Sequence, residues 1–510
     1  MEGWREGSFL VSAAPGAGKT RPALELARRE LARRAAGGVV VVAPTGPLTR
    51  QWARAAHQAG LELVPDAESP RPPAGFHGVV VTYARIAKAP RRWAAAAGAD
   101  TLVVADEAHH LGEELAWGES FAAAFAQARR WLLLSGTPFR SDAAPIPGVS
   151  YDADGLAEPD FSYSYADAVH DGVCRPVAFV AYDGTLSWRS GEDVIESSFE
   201  TVLSTREASR RYRTAISTEL PDGLPRILRE ADARLRALRA SGHPDAGGLV
   251  VAADSSHARQ IARTLREATN RAPVVVLHAE PRAAAKLAAF THSREPWIVA
   301  VNMVSEGVDI PRLRIGVYAT AAKTALVFRQ IVGRFVRTLP GRAPEPSWLY
   351  IPADPALRDH AATIEHEVRI ALRRRGGDEE LEAAPDALRR RESERTDPVG
   401  FEPLSADVAP QLTLFGPAPA RPVAAKASSA APAPEPASER RSVPAFERRA
   451  RLRTERHRLV SDLTRRDGES HREINAWLNR VVGITSVEAA TIEDLERTVA
   501  LLERRLSSSR

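Results

Sequence analysis

Apolar positions along the chain gather into short continuous runs separated by longer stretches with helical spacing. The first five runs are FLVSA (9–13), GVVVVAP (38–44), GVVVTY (78–83), TLVVAD (101–106) and WLLLSG (131–136). Each is short, most are rich in Val, and turn residues bound them, so each predicts a strand. The segments between them, such as 21–36 and 47–59, are rich in Ala, Arg and Leu and read as helices. Runs that are apolar throughout, alternating with helices, predict a parallel sheet covered on both faces. This first α/β domain spans 1–150.

A Tyr- and Asp-rich stretch (151–185) and a long helical pattern (205–241) follow. A second alternation then appears: GLVVAAD (248–254), APVVVLH (272–278), PWIVAVN (296–302) and RIGVYAT (314–320). It predicts a second α/β domain over 160–352, its sheet entered through CRPVAFVAY (174–182). Residues 353–395 read as a charged helical extension. From 396 to 445 Pro, Ala and Ser dominate, as in APAPEPASER, which reads as a flexible linker. Residues 446–510 regain helical periodicity and predict a small α-helical unit. GITS (483–486) is a turn within it, and Thr491 is a helix cap ahead of Glu493 and Asp494.

Composition narrows the setting. The 510 residues are 44% apolar, enough to bury real cores. No apolar run approaches the roughly 18–20 residues that span a bilayer, and no export leader is visible. The single cysteine, Cys174, excludes an internal disulfide and a cysteine-based zinc site. A cytoplasmic location is the expectation. Net charge is +4. Only Lys19, Lys88, Lys286, Lys323 and Lys426 are lysines, and every other strong base is arginine. With the heavy use of alanine, this reflects codon bias before function. A lysine that persists against that bias draws notice, and Lys19 lies in a glycine-rich segment.

That segment is AAPGAGKT (13–20), which follows a predicted strand and precedes a predicted helix. This is the context a phosphate-binding loop requires. Pro15, Gly16, Ala17 and Gly18 form the loop, whose backbone N–H groups face phosphate oxygens at a helix N-terminus. Lys19 reaches the β- and γ-phosphates and the Thr20 hydroxyl serves Mg²⁺. Ala13 stands where the strict pattern has its first glycine. The second segment, LVVADEAHH (102–110), delivers Asp106 and Glu107 from a strand end. Asp106 suits Mg²⁺, and Glu107 suits activation of a water molecule. Two adjacent carboxylates with different roles fit hydrolysis better than transfer to a bound acceptor. The third is QIVGRFVR (330–337). Arg334 and Arg337 are three apart, which predicts one helix face. Two guanidinium groups there can stabilise transition-state charge, and Gln330 joins them as a catalytic candidate. A solvated acidic turn and an ordinary basic helix face are the plain alternatives for the last two segments.

Taken together, these residues resemble the superfamily-two helicases of the DEAD/DEAH-box type, nearest the restriction-enzyme branch that includes type III restriction subunits. AAPGAGKT resembles motif I, VVVVAPTGPLTRQW (39–52) motif Ia, VVVTYARI (79–86) motif Ib, DEAHH motif II and SGTPFR (135–140) motif III. LVVAAD (249–254), VNMVSEGVDIP (301–311) and QIVGRFVR resemble motifs IV, V and VI. The resemblance implies two RecA-like P-loop domains with parallel sheets, ATP in the cleft between them, and nucleic acid across both. It implies that His109, Ser135 and Thr137 couple hydrolysis to movement and that Gly307 and Asp309 sense nucleotide. It places Thr45, Arg50, Thr82 and Arg85 along a nucleic-acid surface. The implied activity is a Mg-ATP-driven helicase or translocase, with DNA ahead of RNA. An ATP-gated clamp that recruits a partner without unwinding shares every motif. A phosphotransferase using the same loop leaves the last two motifs unexplained.

Residues 446–510 lie outside the resemblance. Their arginine-rich entry fits a nucleic-acid-binding module or a protein-docking bundle. No lysine has a carboxylate two residues before it, the pattern of a common metal-dependent nuclease core, so a nuclease is expected as a separate protein partner. The family also places a helix and an adenine-reading glutamine ahead of motif I. Here WREG (4–7) reads as the tail of that helix, and the glutamine is expected upstream of Met1; the alternative is that adenine is read less specifically.

Overall fold

The computed structural model describes residues 4, 6–136, 145–153, 155–277, 280, 282–301, 310–339, 345–376, 401–412, 443–487 and 490–507. Contacts divide the chain into two compact units. The first takes residues 1–12, 18–162 and 424–510; the second takes 13–17 and 163–423.

The sheet of the first unit is built from β1 (Gly7–Ala13), β2 (Gly38–Ala43), β3 (Leu63–Val64), β4 (Gly78–Thr82), β5 (Thr101–Ala105), β6 (Arg130–Ser135) and β7 (Phe161–Tyr163). Their order is β3-β4-β2-β5-β6-β1-β7, and the pairings from β3 through β1 are parallel. The five sequence runs account for β1, β2, β4, β5 and β6. Because β2 lies centrally, Val39 through Ala43 are all buried, which explains an apolar run with no polar alternation. On one face Val40, Val42, Val81 and Val103 pack in a cluster with Tyr83, Trp93, Phe121 and Phe125. Gly7 already belongs to β1, so WREG is not a helical tail at that end; Met1–Gly3 and Arg5 lie outside the described residues.

The second sheet takes β8 (Val177–Ser190), β9 (Asp193–Ser197), β10 (Gly247–Ala252), β11 (Val274–Val276), β12 (Trp297–Val301), β13 (Leu313–Ala319), β14 (Ser347–Pro352) and β15 (Phe401–Leu412). The order is β11-β12-β10-β13-β14-β8-β15, with β9 also paired to β8. Strands from β11 to β8 pair in parallel, whereas β9 and β15 run antiparallel to β8. The helical pattern of 205–241 is two helices, Thr205–Ala215 and Leu224–Ala240, parted by the turn around Pro221 and Gly223.

β15 corrects the linker expected over 396–445. Ala406 and Val408 are buried while Ser405, Asp407 and Ala409 between and beside them are exposed, the period of a half-covered strand. Pro403 and Pro410 made this segment read as linker. They are tolerated because β15 lies at the sheet edge, where one row of N–H groups needs no partner. Residues 413–442 lie outside the described residues, as do 377–400 after the helix Pro355–Gly376.

The carboxy-terminal helices are Ala445–Asp467, His471–Val482 and Ile492–Ser507. Leu459, Val460, Leu463, Ile474, Leu478, Val499 and Leu502 form their core. Gly468 and Gly483 end the first two helices at φ +74 and +80, a conformation glycine adopts without strain. Thr491 caps the third through Asp494 N–H. Within the first unit, this bundle meets the helix Gly46–Gln58 and the turn after it. Glu447 Oε1 lies 2.9 Å from Arg54 Nε, and Glu62 Oε2 accepts the Ala445 N–H at 3.2 Å. Among the described residues no helix is long and apolar enough to cross a membrane.

Candidate functional site

In the first sheet Ser12 of β1 aligns with Ser135 of β6, and Leu133 aligns with Ala105 of β5. Since all three strands run the same way, the loop from Ala13, the Asp106–Glu107 pair and Ser135 emerge at one carboxyl edge. That is where parallel sheets bind ligands. Gly16 and Gly18 take φ of +85 and +83, which a side chain at either position would resist. Between Pro15 and Gly18 the loop turns tightly, with the Ala17 N–H donating to Ala14 O at 3.0 Å. Lys19 then leads into the helix Thr20–Ala32, whose first N–H groups have no intrahelical acceptors.

Asp106 is buried and held on all sides. Its N–H donates to Val42 O at 2.8 Å, and its carbonyl accepts the Tyr83 hydroxyl at 2.8 Å. Trp52 donates its Nε1–H to Asp106 Oδ2 at 2.7 Å, and the Glu107 N–H donates to Oδ1 at 3.1 Å. Glu107 sits at φ +49, a region a non-glycine residue enters at a cost of about 1–3 kcal/mol and only when its surroundings hold it there. Those surroundings are visible. Glu107 Oε1 lies 3.1 Å from Lys19 Nζ, Oε2 accepts the Gly136 N–H at 3.4 Å, and His109 Nδ1 is 3.6 Å from Oε2. His109 Nδ1 is also 3.4 Å from Ser135 Oγ, which links the two adjacent strand ends, and its ring lies against His110.

The two carboxyls are driven apart electrostatically. Burial, then the charge of Glu107, pushes the Asp106 carboxyl above the usual range, against the pull of Lys19 and Trp52. Burial acts in the same direction on Glu107, but Lys19 and His109 outweigh it and hold Glu107 below the usual range. A divalent cation fits this donor set. Each Asp106 oxygen accepts one hydrogen bond, and a carboxylate has about four acceptor sites, so lone pairs remain. One carboxylate, the Thr20 hydroxyl and nucleotide phosphates together match the few-ligand way Mg²⁺ is held.

Of the four residues expected on a nucleic-acid surface, Thr45 and Thr82 also lie at carboxyl ends of strands, and Arg50 and Arg85 lie on the helices that follow. Thr45 follows β2 and Thr82 ends β4, neighbours whose last residues Ala43 and Thr82 are paired. Thr45 precedes the helix Gly46–Gln58 as its N-cap; its Oγ1 has no hydrogen-bond partner among the described residues. Thr82 caps the helix Tyr83–Lys88 through the Arg85 N–H. Arg50 and Arg85 are exposed and both turn to Asp66: Arg50 Nε lies 3.1 Å from Oδ2, and Arg85 Nη1 donates to Asp66 O at 3.1 Å.

In the second unit Gln330 lies on the helix Ala325–Val332, but Arg334 and Arg337 do not share a helix face. The helix stops at Gly333. Beyond it Val336 O accepts the Arg175 N–H at 2.6 Å, and Arg337 bridges to Cys174, so the chain leaves the helix for extended pairing. Arg334 is buried and Arg337 partly so. Thr137, Gly307 and Asp309 lie outside the described residues.

Residues 4–140 match the family model described as "Type III restriction enzyme, res subunit". Over these residues the chain belongs to the superfamily-two helicases of the restriction-enzyme type. Across most of its length the chain is also similar to two mycobacterial proteins. It is 42% identical over 421 residues to "Uncharacterized protein Rv2917" of Mycobacterium tuberculosis, covering 80% of this chain and 69% of that one. It is 41% identical over 422 residues to "Uncharacterized protein ML1624" of Mycobacterium leprae, with the same coverage. Among solved structures, a fragment of a putative HsdR subunit of a type I restriction enzyme from Vibrio vulnificus is 16% identical with a TM-score of 0.48. That match covers 71% of this chain and 62% of the other, less than two thirds of its length.

Sequence reasoning missed two groups in this helicase fold. Trp52 is buried, and its indole N–H donates to Asp106, a partner that no local pattern around Trp52 signals. Asp66 carried no signal, since it lies in a turn far in sequence from the arginines it meets.

Proposed function

We propose that this chain is a nucleic-acid-stimulated ATPase that works as a helicase or translocase on DNA. The observation that carries the reading is the Lys19–Glu107–Asp106 arrangement at one carboxyl edge of a parallel sheet, behind a loop with two positive-φ glycines. Gly16, Gly18 and the helix beginning at Thr20 bind phosphate, and Lys19 exchanges Glu107 for phosphate oxygens. Glu107, released from that ion pair, becomes a stronger base and orients a water molecule for attack. Asp106 and Thr20 hold Mg²⁺, which supplies charge neutralisation at the phosphates when bound. His109 and Ser135 join Glu107 to the neighbouring strand end, a path by which the state of the site reaches the loop after β6. Gln330, Arg334 and Arg337 are assigned to catalysis, and Thr45, Arg50, Thr82 and Arg85 to the phosphate backbone of the strand. Contacts to phosphate read little sequence, so binding of low sequence preference is expected.

The test is ATP hydrolysis by the full chain with single-stranded DNA, duplex DNA or RNA added in turn. Stimulation by DNA, lost in Lys19→Ala, supports the reading. Hydrolysis indifferent to every nucleic acid overturns it.

A further inference from the structure

Asp106 is held from two directions by segments that also bear the proposed strand-facing residues. Trp52 lies on the helix Gly46–Gln58, two residues after Arg50. Tyr83 opens the helix Tyr83–Lys88, between Thr82 and Arg85. Trp52 donates to the Asp106 carboxylate at 2.7 Å and Tyr83 to its carbonyl at 2.8 Å. Both aromatic side chains are buried, at 2% and 1% exposure. On the outer side Asp66 ties the same two segments together. Its Oδ1 accepts the Thr49 hydroxyl at 2.8 Å, its Oδ2 meets Arg50, and its carbonyl accepts from Arg85.

Packing alone does not explain these residues. Phenylalanine would supply similar apolar bulk at either position. The indole and the phenol each add one donor, and both donors are directed at Asp106. A phosphate arriving at Arg50 and Arg85 competes with Asp66 for their guanidinium groups, because charge-assisted hydrogen bonds to phosphate are strong. The helices that carry those arginines are the same ones that hydrogen-bond Asp106 from within.

We propose that Trp52 and Tyr83 are positioning residues that couple nucleic-acid contact on the first unit to the cation-binding carboxylate Asp106. The proposal rests on the ATPase reading above. Full-length Trp52→Phe and Tyr83→Phe proteins test it against wild type in two measurements. The first is a Mg²⁺ titration of the binding of a fluorescent ATP analogue, which needs neither turnover nor nucleic acid. The second is the ratio of ATP hydrolysis with and without single-stranded DNA. Loss of a supporting hydrogen bond to a metal-binding carboxylate costs about tenfold or more in metal affinity. Trp52→Phe is therefore expected to raise the half-saturating Mg²⁺ about tenfold, and both variants to lower the stimulation ratio roughly threefold or more. Circular dichroism identifies a variant that does not fold, and Tyr83→Phe then carries the test. Folded variants with wild-type Mg²⁺ curves and ratios overturn the proposal. A wild-type protein indifferent to nucleic acid counts against the ATPase reading instead, and the Mg²⁺ curve of Trp52→Phe still decides whether Trp52 positions Asp106.

Discussion

Lys19 Nζ lies 3.1 Å from Glu107 Oε1, so the loop lysine and the carboxylate assigned to water activation already form an ion pair. The pairing makes two substitutions behave differently. Lys19→Ala removes the cation that phosphate would take, so binding of a fluorescent ATP analogue and hydrolysis should both fall sharply. Glu107→Gln leaves Lys19 in place and removes the base, so nucleotide binding should persist. Hydrolysis should drop about 10²–10⁴-fold, the usual contribution of general-base catalysis. Phosphate release from Glu107→Gln within tenfold of wild type would sink the assignment of Glu107.

The strands of the site were legible because β2, β4, β5 and β6 are central or nearly so, and burial on both faces leaves an unbroken apolar run. The glycines and Lys19 were legible because a phosphate loop constrains residue type position by position. The exit of Arg334 and Arg337 from the helix was not, because Arg175 and Cys174, far earlier in the chain, pull Val336 and Arg337 into extended pairing. The strand conformation of Glu402–Pro410 was hidden by its two prolines, whose tolerance depends on an edge position that local composition does not record. Glu107 at positive φ was equally invisible, since it depends on groups that the fold brings to it, among them Lys19, His109 and Gly136.

Glu207 should give the second unit an acid-sensitive contribution to stability. It accepts the Trp188 Nε1–H at 2.8 Å and the Ser190 hydroxyl at 2.9 Å, and lies 3.0 Å from Arg210 Nη1. Burial raises the Glu207 carboxyl, but these donors and the Arg210 charge outweigh it and the net shift is downward. A carboxyl lowered on folding stabilises fully above its unfolded value of about 4.3, and that contribution is lost as pH falls through the lower folded value. Glu207→Gln is therefore expected to cost about 1–2 kcal/mol near pH 7 and progressively less toward pH 3. Thermal melts across that range check it; a gap that widened on acidification would contradict the assignment.

Val408 tests whether β15 is integral to the second sheet. It is fully buried on a strand paired along most of β8. Val408→Ala should destabilise the second unit by about 1–2 kcal/mol, the transfer cost of the removed methyl groups plus incomplete collapse of the site. Val408→Asp buries an unpaired charge and should expose the β8 edge, with aggregation as the visible result. Urea unfolding and light scattering read the two effects. Wild-type behaviour of Val408→Asp would mean that β15 detaches without consequence.

Asp66 and the two arginines it meets make a prediction about salt. Arg50 and Arg85 are exposed, and their contacts with the Asp66 carboxylate and carbonyl, respectively, are worth at most about 1 kcal/mol in water, so a phosphate can displace both. Each arginine that replaces a counterion at a phosphate adds about one to the slope of log affinity against log salt. Arg50→Ala and Arg85→Ala should each weaken single-stranded DNA binding without regard to sequence and reduce that slope by about one. Asp66→Asn should act the other way, since it removes the competing charge while keeping an acceptor for Thr49. Binding by Asp66→Asn should be tighter at low salt, and the advantage should shrink as salt rises. Fluorescence anisotropy over a salt series compares the three variants with wild type. Parallel slopes for wild type, Arg50→Ala and Arg85→Ala would remove both arginines from the strand-binding surface, whatever the affinities themselves.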